Sequence, residues 1–251
     1  NDETLTWPSR HLGLVQAQEN RDLDTFIEVA ALRANHPGAL ERILDLARPL
    51  SAADPAAVLP PLGGSVAVAR DDAFSFFYSH LAESWHRQGT TLSFFSPLAD
   101  EAPDPAAAAV FLPGGYPELH AGRLAGNAGF LDGLRHHAGI VYGECGGYMV
   151  LGESLIDSKG MAHRMASLLP VVTSFERRKL HLGYRQLEPL TAGPWTGALK
   201  GHEFHYSTLV SEGDGDRLFA ARDAAGKALP PMGLRRGRVM GSYAHVIAEA
   251  R

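Results

Sequence analysis

The spacing of apolar side chains changes character near the middle of the first hundred residues of this 251-residue chain. His11–Ala17 reads as a short strand. From Asp22 to about Ala34, apolar side chains at Leu23, Phe26, Ile27 and Ala30 follow helical spacing. Asn35-His36-Pro37-Gly38 interrupts it, and Ala39–Ala47 resumes it with Leu40, Ile43, Leu44 and Ala47. Residues 49–64 are rich in proline, alanine and glycine and read as a linker. Beyond it strands and helices alternate. Strands are expected at Ser65–Ala69, Thr91–Phe95, Ala107–Leu112 and Gly139–Tyr142. Helices are expected from Phe74 to about Gln88 and from Leu119 to His137. That order predicts an α/β fold, a mostly parallel sheet with helices on both faces. The last third is less periodic, with strands expected at Leu168–Thr173, Leu182–Leu187, Gly201–Ser207 and Val239–His245.

Composition narrows the function classes. Hydrophobic content of 45% and 20% charged residues suit a globular domain. A net charge of −5 offers no excess of cations for phosphates, which speaks against nucleic acid. No apolar run approaches the roughly eighteen residues of a membrane span. The acidic, polar start lacks both an initiator Met and a signal peptide, which points to a fragment or processed chain in the cytoplasm. One cysteine fits that reducing compartment.

That cysteine, Cys145, carries the strongest chemical signal. The run Ile140-Val141-Tyr142 leads into Gly143-Glu144-Cys145-Gly146-Gly147, the G-x-C-x-G of a nucleophile elbow. Glycines two residues either side let a strand turn sharply into a helix, whose N-terminus would favour thiolate. The competing reading is a buried structural cysteine. A base must take the thiol proton, and His245 is the first candidate among twelve histidines, followed by His202 and His205. Gly114 and Gly115, at the end of another expected strand, and Gly146 are candidates for an oxyanion hole. Both segments fall at carboxyl ends of strands, where parallel sheets place their sites.

Leu112-Pro113-Gly114-Gly115-Tyr116-Pro117-Glu118-Leu119, Glu144-Cys145-Gly146-Gly147, Gly201-His202-Glu203-Phe204-His205-Tyr206-Ser207 and Ser242-Tyr243-Ala244-His245 occur in that order. Together they resemble the class I glutamine amidotransferase domain, flavodoxin-like in fold, of the cobyrinic or hydrogenobyrinic acid a,c-diamide synthases. The resemblance covers residues 65–251. Pro8–Leu14 resembles the end of that family's ATP-dependent synthetase domain, so residues 1–48 would be its remnant. The resemblance implies that Cys145 attacks the side-chain amide of glutamine, that His245 is base and acid, and that Tyr116 contacts substrate. It implies no metal or cofactor in this domain. ATP and Mg²⁺ would act in the synthetase domain, which would receive ammonia and amidate the a and c acetates of the corrinoid. A homo-oligomer stays open as an assembly.

Many triad amidotransferases carry Glu two residues after the His, and here that position is Ile247. Glu203 and Glu249 are the candidates for an orienting acid. The alternatives are the amidotransferase half of cobyric acid synthase or of nickel-sirohydrochlorin diamide synthase, a non-catalytic docking module, and a cysteine peptidase or amidase.

Overall fold

The computed structural model describes residues 5–10, 13–15, 17–49 and 58–250. The chain separates into two compact units, Asn1–Ala56 and Ala57–Arg251.

In the first unit, two short strands, β1 (Ser9–Arg10) and β2 (Gly13–Leu14), pair antiparallel. Of the strand expected over 11–17, residues 11, 12 and 16 lie outside the described residues, Gly13–Leu14 forms β2, and Ala17 opens a short 3-10 turn instead. Trp7 donates from Nε1 to the Val15 carbonyl at 2.8 Å and meets Phe26 edge-on. Helices α1 (Leu23–Ala34) and α2 (Ala39–Leu46) form where the spacing predicts them. Gly38 separates them at φ +74°, a conformation that glycine adopts without steric cost. Neither helix buries a residue, so Leu32, Leu40, Ile43 and Leu44 are exposed.

The second unit begins inside the stretch expected as linker. Its part over 50–57 lies outside the described residues, but Leu59 and Leu62 are buried core residues. Their carbonyl neighbourhood is anchored too: Leu59 accepts from Trp85 Nε1, and Pro60 from Trp195 Nε1. Proline content here signals a non-helical backbone rather than a solvated one.

The alternating segment gives β3 (Ser65–Ala69), α3 (Ser79–Arg87), β4 (Thr91–Phe95), β5 (Ala109–Leu112), α4 (Ala121–Gly126), α5 (Ala128–His136), β6 (Ile140–Glu144) and α6 (Gly146–Leu151). Successive side chains of the strands point to opposite faces. Val66, Val68, Phe111 and Tyr142 join Leu81 and Trp85 of α3 in one core. Ala67, Val110, Leu112 and Val141 join Leu124, Phe130, Leu134 and Tyr148 of α4, α5 and α6 in the other. Helices therefore cover both faces. Each large side chain buried there stabilises the unit by about 1.5–3 kcal/mol.

Two helices differ from expectation. Residues 74–78 are not helical, because Phe76 N–H donates to Gly114 O at 3.0 Å and Tyr116 N–H to Ala73 O at 3.0 Å. Those bonds hold the segment extended against the Gly114-Gly115 turn. The expected helix over 119–137 breaks at Asn127, whose Nδ2 donates to the Pro97 carbonyl at 2.7 Å.

The rest of the chain adds β7 (Ser154–Ile156), β8 (Ala162–Arg164), β9 (Val171–Ser174), β10 (His181–Pro189), β11 (Leu199–His205), β12 (Thr208–Glu212), β13 (Asp216–Asp223), β14 (Ala228–Arg236), β15 (Val239–Ser242) and β16 (His245–Glu249). The main sheet runs β16-β11-β10-β13-β14-β15-β6-β5-β3-β4. It is parallel from β4 to β15 and antiparallel from there to β16. The parallel half is the expected α/β layer, and the antiparallel half extends it. A second sheet, β12-β9-β7-β8, packs beside it. The strand expected over Val239–His245 is two strands, broken at Tyr243-Ala244. The break sends β15 to β6 and β16 to β11.

Candidate active site

Strand β6 ends in the elbow. Cys145 stands at φ 48°, ψ −104°, one of three described non-glycine residues with positive φ. Such a conformation costs on the order of 1–3 kcal/mol and persists where surrounding structure enforces it. Here Cys145 N–H donates to Ser242 O at 2.8 Å, and Cys145 O accepts from Met149 N–H at 3.1 Å. The flanking glycines are sterically required. A methyl on Gly143 would lie 2.7 Å from the Gly147 carbonyl carbon, and one on Gly147 would overlap the Leu112 carbonyl.

His245 opens β16 directly opposite His202 of β11. The two imidazoles stack with centroids 4.7 Å apart and planes 2° from parallel. His202 Nε2 is held by the Tyr78 hydroxyl at 2.6 Å. The Gly114 turn joins base and nucleophile: a methyl there would stand 3.2 Å from His245 Nε2 and 3.3 Å from Cys145 Cβ. Only glycine fits between them. A methyl on Gly146 would stand 3.2 Å from the Gly115 nitrogen, so the oxyanion candidates Gly114, Gly115 and Gly146 converge beside Cys145. Tyr116 is buried and meets Phe76 edge-on at 5.2 Å, and Phe76 in turn faces the His245 ring at 6.4 Å. Tyr116 thus lines the wall behind the base.

Both central groups rest uncharged. Burial pushes the Cys145 thiol well above its usual value, and the Glu118 carboxylate adds to this against the Gly146 N–H. Proximity to a helix N-terminus does not outweigh that burial, so the thiolate expected from the sequence is not the resting form. Burial, then His202 and His205, hold His245 down at about 3.

The acid positions sort by strand parity and distance. His202 faces His245, so Glu203 points to the opposite side of β11. There its Oε2 accepts from Arg185 Nε at 2.6 Å and its Oε1 meets His205 Nε2 at 3.1 Å. Burial would raise this carboxyl, but the hydrogen bonds from His205 and Arg185 hold it below the usual range. Glu249 shares the parity of His245 but lies four residues along the strand, about 13 Å away. Among the described residues, the carboxylate that comes within 4.0 Å of His245 is that of Glu144, a variable position of the G-x-C-x-G motif and not one of the two acids expected from the sequence. Its Oε2 lies 4.0 Å from His245 Nδ1, and its Oε1 accepts from Val246 N–H at 3.0 Å. A signal was present: a carboxylate ending a buried strand must find a partner.

His205 stacks on Tyr243 at 3.8 Å. With His181, Arg185, Glu203 and Tyr148 it lines a cavity of about 380 Å³. Ligand atoms of His181, Glu203 and His205 lie within 4.8 Å of one another, a donor set of the kind that holds divalent cations. The Arg185 guanidinium already neutralises the one anionic donor, which disfavours a cation there.

A strained cysteine elbow, a buried histidine and a glycine turn between them form a cysteine-hydrolase arrangement. The sequence profile of the CobB/CobQ-like glutamine amidotransferase domain matches residues 65–251. The chain belongs to this family. It is 56% identical to a hydrogenobyrinate a,c-diamide synthase of Brucella anthropi, over 98% of this chain and 58% of that protein. It is 52% identical to the protein of the same name from Rhizobium meliloti, again over 98% of this chain and 58% of that protein. The chain thus spans less than two thirds of these relatives. A solved glutamine amidotransferase from Thermotoga maritima aligns with a TM-score of 0.48 at 15% identity, covering 72% of this chain and 75% of that one.

Proposed function

We propose that the second unit is the glutaminase half of a corrinoid a,c-diamide synthase. The observation that carries the reading is the Gly114 turn, which leaves room only for a hydrogen between His245 Nε2 and Cys145 Cβ. Cys145 Sγ attacks the amide carbon of glutamine while His245 Nε2 takes the thiol proton. The oxyanion is met by backbone N–H groups of the Gly114-Gly115 turn and Gly146. As the C–N bond breaks, His245 returns the proton and ammonia leaves. Water, deprotonated by His245, then hydrolyses the γ-glutamyl thioester to glutamate and frees the thiol. Tyr116 closes the wall around the base.

The remaining length of the relatives supports a second activity outside this chain. There ATP and Mg²⁺ would activate the a and c acetates for amidation by the released ammonia. No step at Cys145 requires either. The relatives' name favours hydrogenobyrinate as the macrocycle over the substrates of cobyric acid synthase or nickel-sirohydrochlorin diamide synthase.

Labelling with 6-diazo-5-oxo-norleucine tests the reading. One adduct is expected on Cys145 by peptide mapping, prevented by excess glutamine and absent in Cys145→Ser. Failure to label while a general thiol reagent modifies Cys145 overturns the glutaminase assignment in favour of a docking module.

A further inference from the structure

The site leaves one buried polar atom without a partner where catalysis needs one. His245 Nδ1 is buried and makes no hydrogen bond. Buried side-chain donors and acceptors in folded proteins are nearly always paired. A histidine that relays a proton through Nε2 also needs its Nδ1–H directed, or the ring adopts the wrong tautomer.

The backbone sets a carboxylate beside that atom. Glu144 is the last residue of β6 and His245 the first of β16. They are tied through Val246 N–H, which donates to Glu144 Oε1 at 3.0 Å and so fixes the carboxylate next to the histidine's own backbone. The other oxygen then faces Nδ1 at 4.0 Å, with both side chains 2% exposed. A rotation of the carboxylate or ring that closes about 1 Å completes a hydrogen bond, and such contacts tighten in the reacting complex.

Resting on the glutaminase reading above, we propose that Glu144 is the positioning acid of His245: its Oε2 accepts the Nδ1–H, fixes the tautomer and stabilises the imidazolium that forms when Cys145 loses its proton. Strand β6 then delivers acid and nucleophile as adjacent residues, on opposite sides of the base brought by β16. This accounts for a site whose sequence lacks an acid two residues after the histidine.

The arrangement has a pH signature. Groups around Glu144 are Tyr142 on its own strand, Cys145 after it, Tyr78 from the segment before α3, and His245 on β16. None is cationic at rest. Burial raises the Glu144 carboxyl to about 8, against the hydrogen bond from Val246 N–H. Below that value the carboxyl keeps its proton and offers no anion to the imidazolium. Activity therefore climbs as pH rises towards about 8.

The test uses the full-length synthase with Glu144→Gln, Glu144→Asp and His245→Ala. In Glu144→Gln, glutaminase kcat/KM should fall by about 10²–10⁴-fold and the rising limb that ends near pH 8 should disappear. Glu144→Asp, which keeps the charge, should restore part of the rate and a limb. Alkylation of Cys145 by chloroacetamide, read against pH, reports the same proton transfer without turnover. Glu144→Gln should slow it in the parent and leave it unchanged in the His245→Ala background. A normal rate in Glu144→Gln, a fall in rate with the limb intact, or equal slowing of alkylation in both backgrounds overturns the proposal. Absence of glutaminase in the parent would instead sink the functional reading, and the alkylation cycle would still decide the role of Glu144.

Discussion

Two buried groups of the site are held in uncharged forms, and they load the stability of the fold at opposite ends of the pH scale. His245 stays neutral in the folded protein down to about 3, against an ordinary 6.5. Its contribution is complete above 6.5 and is lost as pH falls towards 3, because the unfolded chain binds the proton first. Glu144 has the opposite sign. Raised from 4.5 to about 8, it contributes fully below 4.5 and loses that contribution as pH rises through 8. Stability should therefore peak between about 4.5 and 6.5, where each group keeps much of its share. Urea titrations across pH 3–9 would show it. Glu144→Gln should flatten the alkaline side and leave the acid side in place. An alkaline slope unchanged in that variant would mean that Glu144 is ionised in the folded protein.

Elements bring these residues together through close backbone approach, and glycine is the currency of that approach only where atoms collide. Gly147 sits under the Leu112 carbonyl, whereas a methyl on Gly126 at the end of α4 would meet nothing within 4 Å. Gly147→Ala should destabilise by about 1–3 kcal/mol and lower the melting temperature by several degrees, with loss of Cys145 labelling. Gly126→Ala should stabilise by about 0.5–1 kcal/mol. Equal melting temperatures for the two variants would show that the elbow relaxes without cost. The same contrast explains what was legible in the sequence. Period and elbow motif located β3, β6 and Cys145, because burial on both faces and a tight turn leave direct marks, and the edge strand β4 was legible from its apolar Leu92, Phe94 and Phe95. The extended path of 74–78, the kink at Asn127 and the break before β16 depend on hydrogen bonds to distant residues. So does Glu144, whose partner is 101 positions away in the chain and adjacent because Ser242 pairs with Glu144 three residues before His245. Glu203 and Glu249 drew attention by spacing, while pleat parity and strand length decide their placement.

At the scale of the whole molecule, the resting site is quiet: a protonated thiol and a neutral imidazole beside the buried Glu144 carboxyl, which keeps its proton up to about 8. Forming the thiolate–imidazolium pair in this buried site needs something that offsets burial; on the proposed reading, the ionised Glu144 carboxylate and N–H donors around bound substrate would do so. The relatives extend well beyond the 58% of their length that this chain covers, and under the proposed function that remaining part would use the ammonia. The two chemistries are then separable in the full-length protein. Cys145→Ser should abolish glutamine-dependent diamide formation while leaving amidation from added ammonium salts at the parental rate, because that route bypasses β6 and β16. Rates of product formation with each nitrogen source, measured by mass spectrometry, check this. Loss of both routes would mean that Cys145 supports the structure of the synthetase part and is not its nitrogen supply. Retention of the glutamine route would mean that the nucleophile lies elsewhere. Under the proposed function, the expected split would assign ammonia release to the elbow and ammonia use to the part of the protein beyond this chain.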